Sequence, residues 1–278
     1  MELIFTSIKD AIRLKIYLSA HGVKEKLKES QSQFIYTFSN EMEKRGLYAE
    51  ALLHFIKEAK RNDWLNDTLL QTYHYENEDE RSHIIGITAQ MFSGKRKDLS
   101  DLVGNVNEDQ LLHSAIDDLL SYGGPILFDS FSRFRLKPYY KQVGKYLEVA
   151  IDEYKMEQEY QMFVSMLRDY LKNRGSRKNT IHLLMDDSNL FFDENIQEIS
   201  HQDMKAMIDQ RLLANHPIYV DSGVIAPLLS MAPKKIYLYT LNEEQALVRT
   251  LRNIFEERIF ILPPTHFHIL KKAYVHKP

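Results

Sequence analysis

The stretch from Ile126 to Lys172 limits what this chain can fold into more than any other. Phe128, Phe131 and Phe134 open it at three-residue spacing, interleaved with Arg133, Arg135 and Lys137. Pro138 follows, a residue that fits the first turn of a helix because its missing N–H has no partner there anyway. From Pro138 to Lys172 the pattern is helical, with no further proline. Val143, Leu147, Ala150, Ile151 and Tyr154 form one apolar stripe, and Tyr160, Phe163, Val164, Leu167 and Tyr170 form another. The two stripes fall out of phase between Lys155 and Glu159. A helix buries one stripe, so the slip predicts a bend or two helices meeting there.

Ahead of this stretch the pattern is mostly helical. Leu3 to Thr6 reads as a short strand, and Ile8, Ala11, Ile12, Ile16 and Ala20 as a helix ending at Gly22. Phe34 to Phe38 is aromatic and β-branched, which suits a second strand. The three together read as a β-α-β start, with a right-handed crossover if its strands are parallel. Asn40 with Glu43, and Asn77 with Glu80, have the spacing of capping boxes. Leu65, Leu69 and Leu70 suggest a separate helix, Ser93 to Asp98 a polar break, and Glu108 to Leu120 a further helix. Gly123-Gly124-Pro125 reads as a stop.

Beyond the stretch the period changes. Asn173 to Asn179 reads as a linker, and Ile181 to Met185 with Phe191-Phe192 as a hairpin. Ser200 and Asp203 cap a helix bearing Met204, Met207, Ile208 and Leu212. Val224 to Met231 reads as a short buried helix and Lys234 to Thr240 as a strand. A helix capped by Asn242 with Gln245 and a last strand, Ile259 to Leu262, complete a parallel crossover unit. The fold class is therefore α/β, mixed α+β overall. Three regions are expected: a mainly helical 1–125 with short strands, a long central helical segment 126–172, and a small α/β unit over 180–278.

The chain has 278 residues, a formal net charge of −3 and no cysteine. Without cysteine there are no disulfides, no thiolate catalysis and no cysteine-bound zinc or iron–sulfur cluster. The charge balance disfavours nucleic acid as a general partner. No apolar run approaches the roughly 20 residues that span a bilayer, and the opening lacks the cationic start of a signal peptide. A cytoplasmic protein is expected.

No phosphate loop, dinucleotide fingerprint, zincin or serine-hydrolase motif is present. Asp79 and His83 stand four apart and share a helical face, but acidic residues also fill first turns because they complement the helix dipole. His182, Asp186 and Asp187 mark a strand end and its turn, where α/β folds present catalytic groups and where Asp-Asp-Ser-Asn is also ordinary turn chemistry. His266-Phe267-His268 reads as an exposed tail, so no metal site and no cofactor are expected. Arg133, Arg135 and Lys137, with Arg174 and Arg177, can grip phosphates, or cover the core with their stems and pair with helix acids.

Phe134-Arg135-Leu136-Lys137-x-Tyr139 resembles a pattern of the YtxC-like family, as do Glu153-Tyr154, Glu159-Tyr160, Phe163 and the Leu167 to Leu171 run. The likeness continues through Ile181-His182-Leu183, Ala226-Pro227-Leu228-Leu229 and Ala232-Pro233-Lys234-Lys235-Ile236. It is clearest from Ile126 to Leu262. The resemblance implies a cytoplasmic bacterial protein associated by name with sporulation in endospore-forming, Gram-positive species. It implies no reaction, ligand or catalytic residue. Joined to 16 tyrosines, which suit interfaces, the expectation is a non-catalytic interaction module with a protein partner. Two alternatives stand beside it: a phosphate-ligand or nucleic-acid binder using the basic residues, and an enzyme with an unfamiliar site near His182 and Asp186.

Overall fold

Leu3 and Phe5 alternate with Glu2 and Ile4, and this period of two lays strand β1 (Glu2–Phe5) on the core by one face. In the computed structural model, which describes residues 1–30, 32–39, 41–104, 107–186, 188–208 and 223–275, the chain divides into two compact units. They are Met1–Met156 and Glu157–Pro278. The fold is mixed α/β, with one small mixed sheet in each unit.

In the first unit, α1 (Ile8–Ala20) starts where the Ser7 hydroxyl accepts the Asp10 N–H at 3.3 Å. It buries Ala11, Leu14 and Leu18. Strands β2 (Leu27–Ser30) and β3 (Gln33–Thr37) follow as a hairpin. The strand-helix-strand start is present, but β3 returns antiparallel to β1, pairing Leu3 with Tyr36 and Phe5 with Phe34, so no parallel crossover forms there. The parallel neighbour of β1 is β4 (Pro125–Leu127), which forms at the place read as a helix stop. Three residues carry no readable period, so only their pairing with Glu2, Leu3 and Ile4 makes them a strand. The sheet order is β2-β3-β1-β4.

Between β3 and β4 the chain is helical. α2 (Met42–His54) runs through a π-helical turn, Phe55–Lys60, into α3 (Arg61–Gln71), where two separate helices were expected. The wide turn puts Phe55, Ile56 and Ala59 inside. Asn77 caps α4 (Glu78–Phe92) by accepting the Asp79 and Glu80 N–H groups, at 2.8 and 3.4 Å. Only half of that box forms, because the Glu80 carboxylate accepts the Tyr154 hydroxyl at 2.8 Å. α5 (Lys97–Val103) occupies part of the expected polar break, and α6 (Glu108–Ser121) matches its pattern. The proposed cap Asn40 lies outside the described residues.

After β4 come α7 (Phe128–Phe134) and α8 (Lys137–Lys172). Phe128 and Phe131 are buried, whereas Phe134 is 70% exposed. α8 is one continuous helix, which corrects the expectation that two helices meet there. Its stripe from Val143 to Tyr154 lies in the first core, and Phe163, Val164 and Leu167 lie in the second. The phase slip therefore records a change of core along an unbroken helix.

In the second unit, β5 (Thr180–Met185) and β6 (Asn189–Phe192) form the expected hairpin. Ser200 caps α9 (His201–Met207), its hydroxyl accepting the Asp203 N–H at 3.1 Å. Leu212 lies outside the described residues. Every residue of α10 (Ile225–Met231) is buried, Pro227 included. β7 (Lys235–Tyr239), α11 (Ala246–Phe255) and β8 (Ile259–Leu262) make the parallel crossover, giving the order β6-β5-β7-β8. The tail reading of His266-Phe267-His268 is corrected. These residues lie in α12 (Pro264–Val275), and Phe267 is buried against Phe192 and Tyr239 at 4.6 and 5.1 Å between ring centroids.

Candidate functional site

The first unit carries an open groove of about 920 Å³, within the range of functional pockets. One wall is α3, which presents Trp64 and Thr68, with Thr72 and Tyr73 just past its end. The other wall is α7 and the first turns of α8, which present Arg133, Phe134, Lys137, Tyr140, Lys141, Gly144 and Glu148. Residues four or seven apart lie on one helical face, which is why Trp64, Thr68 and Thr72 line up, and why Lys137, Lys141 and Glu148 follow one another along α8.

The floor is aromatic. Trp64 stacks on Tyr140, with ring centroids 5.1 Å apart and planes 18° from parallel. Gly144 brings the α8 backbone close to the indole, and a Cβ there would stand 3.7 Å from Trp64 Cη2. The Tyr140 hydroxyl lies 3.3 Å from the Ser132 hydroxyl, and burial raises its pKa above the ordinary 10.0. Tyr73 is shifted the same way, first by burial and then by the negative charges of Glu148 and Asp152.

The charges divide into a spent set and a free set. Lys60, the last residue of the π-helical turn, contacts the Asp10 carboxylate at 2.8 Å and Asp63 at 3.4 Å. Arg13 meets the same Asp63 at 2.6 Å. Asp129, on the groove lining, accepts the Thr6 hydroxyl at 2.6 Å. Arg133, Lys137 and Lys141 are exposed at the surface and form no ion pair among the described residues. One end of the groove thus holds three uncompensated cations, and the other holds the Glu148 carboxylate.

The residues singled out from the sequence part company here. Arg133 and Lys137 line this groove. Arg135 faces a neighbouring hollow beside Pro138 and Tyr139, with its guanidinium 3.8 Å from the Asp118 carboxylate and both side chains about two-thirds exposed. Arg174 and Arg177 belong to the second unit, where the Arg174 guanidinium lies 5.0 Å from the Tyr170 ring centroid and Arg177 is exposed. His182 is buried, stacked on Tyr237 at 5.1 Å and Tyr239 at 5.9 Å, and its Nδ1 shares a 2.8 Å hydrogen bond with the Tyr239 hydroxyl. Asp186 is exposed on the turn after β5, and Asp187 lies outside the described residues. Asp79 stands in the first turn of α4, and the His83 ring stacks edge-on against Tyr154. Among the described residues no group of three potential metal ligands comes together.

Trp64, Thr68, Tyr140 and Lys141 escaped the sequence reading. Their signal was present: the single tryptophan of the chain, with threonines four and eight residues later. What the sequence did not show is that α3 lies beside α8.

No helix among the described residues is long and apolar enough to cross a membrane. No solved structure matches the chain. The model of the YtxC-like family matches residues 47–260. A Bacillus subtilis (strain 168) protein described as "Uncharacterized protein YtxC" is 34% identical over 212 residues, covering 76% of this chain and 75% of that protein. The match spans the groove and most of both units, and the chain belongs to the YtxC-like family.

Proposed function

We propose that this protein is a non-catalytic interaction module of the cytoplasm, working in spore formation by holding a protein partner in the groove of its first unit. One observation carries the reading: an aromatic floor, Trp64 on Tyr140, lies beside three cations that form no ion pair among the described residues. Aromatic and arginine side chains are the groups that concentrate binding energy at protein interfaces. Cations already paired would have to give up their partners before they could bind anything. Among the described residues, Arg133, Lys137 and Lys141 have no such partner to lose. The tie to spore formation rests on the family resemblance alone.

Affinity capture of the tagged protein from sporulating cells tests this reading, with half of each extract treated with nuclease. The wild-type chain is expected to recover a partner that survives nuclease, and a Lys137→Glu/Lys141→Glu chain is expected to lose it. Recovery that disappears with nuclease, or that is indifferent to the charge reversals, would overturn the reading.

A second reading, a phosphate-ligand site, is favoured by the same cations standing beside stacked rings. Asp129 and Glu148 in the same lining weigh against it, because each repels phosphate.

A further inference from the structure

The groove is polarised, and its polarity narrows what it can hold. From Lys137 to Glu148 the α8 wall extends about 16 Å at the helical rise of 1.5 Å per residue. Trp64 sits opposite Tyr140 and Gly144, while Tyr73 feels the charges of Glu148 and Asp152. The α3 wall therefore runs alongside α8 in the same direction. Arg133, Lys137 and Lys141 gather at one end, the aromatic floor lies in the middle, and Glu148 marks the other end. Thr68 and Thr72 add hydroxyls between them.

We infer that the groove receives an amphipathic helix of a partner protein, about three turns long, with its acidic end against Arg133, Lys137 and Lys141. This rests on the reading of the groove as a protein-docking site and adds the chemistry and direction of the occupant. Two observations favour an acidic helix over a nucleic-acid strand. A strand carries a charge at every nucleotide and would meet Glu148 at the far end as well as the cations. Trp64, Tyr140 and Gly144 in the middle of the groove suit an apolar helix face, whose residues recur every three or four positions. Trp64 and Tyr73, about 13 Å apart along α3, are reached from turns two to three apart.

The single tryptophan makes the test direct, because emission of the whole chain reports on the groove floor. A displayed library of random peptides of about 16 residues, enough to span the wall, is selected against the full-length chain. Enriched peptides are then titrated while Trp64 emission is followed. Peptides with Asp or Glu clustered at one end and apolar residues at helical spacing are expected to be enriched. They should change Trp64 emission and gain helical circular dichroism on binding. Lys137→Glu/Lys141→Glu should weaken them by about tenfold or more, since two favourable charge contacts become repulsive. Glu148→Lys should leave the acidic end bound and weaken only peptides with a cation at the far end.

Neutral or basic peptides that still change Trp64 emission would overturn the acidic helix while leaving the docking groove standing. If no peptide is enriched, or none changes Trp64 emission, the docking reading beneath it falls too. Tighter binding of a short oligothymidylate than of any peptide, seen by the same emission change, would overturn the proposal in favour of a phosphate ligand.

Discussion

Trp64 lies flat on Tyr140, ring centroids 5.1 Å apart, and this contact joins α3 to the start of α8. Such a pair contributes about 0.5–1.5 kcal/mol beyond the area it buries. Tyr140→Ala removes both the stack and the buried ring, at a cost of about 2–3 kcal/mol given partial burial. Trp64 emission should shift to the red as the indole is wetted. Tyr140→Phe keeps the ring and loses only the long Ser132 contact, so its urea midpoint should stay close to wild type. Equal loss in both variants would show that the hydroxyl, not the stack, matters.

The Asp10–Lys60 pair is mostly buried, with side chains 11% and 17% exposed. Lys60→Met leaves Asp10 enclosed, with Arg13 at 3.8 Å as its nearest remaining cation. Breaking a buried pair on one side costs about 3 kcal/mol. The double change Asp10→Leu/Lys60→Met removes both charges and should recover much of that loss. Denaturant unfolding of the two variants side by side checks the ordering.

His182 is buried between tyrosine rings, and burial lowers its pKa below the ordinary 6.5, with Asp193 pulling weakly the other way. The unfolded chain therefore takes up this proton at a higher pH than the folded one. The stabilisation is complete above about pH 6.5 and is lost as pH falls from there through the lowered folded value. His182→Gln should flatten that part of the pH–stability curve. A ring resonance of His182 that titrates above 6.5 in the folded protein would contradict the assignment.

Gln142 Nε2 on α8 is enclosed with no hydrogen-bond partner among the described residues. An unsatisfied buried donor costs about 1–3 kcal/mol. Gln142→Met keeps the length and helix propensity of the side chain and removes the donor. The variant should melt higher than wild type, and an unchanged or lower melting temperature would mean the amide finds water.

The fold class was legible because each unit repeats its pattern over enough residues to average out exceptions. The helical stripes of α1, α6 and α8 and the apolar runs of β5, β7 and β8 are of this kind. The failures are short or shared elements. β4 has three residues and no period of its own, and the antiparallel return of β3 depends on the β2 hairpin, whose mostly exposed strand carries little apolar signal.

The site was half legible. Arg133 and Lys137 stood out because cations beside phenylalanines are conspicuous in a line of text. Their separation from Arg135 was not, since Arg135 is the C-cap of α7, between the two helices that carry Arg133 and Lys137, and only packing decides which way it faces.

The sequence by itself determined the longer helices, the strands β5, β7 and β8, the two apolar faces of α8 and the membership of the YtxC-like family, because these depend on residues near one another in the chain. Only the tertiary structure decided that the phase slip is a change of core, that His182 is enclosed while Asp186 is not, and that Trp64 meets Tyr140. Each of these joins residues far apart in sequence. Which pairs meet is set by burying the whole apolar surface at once, and no local pattern carries that information.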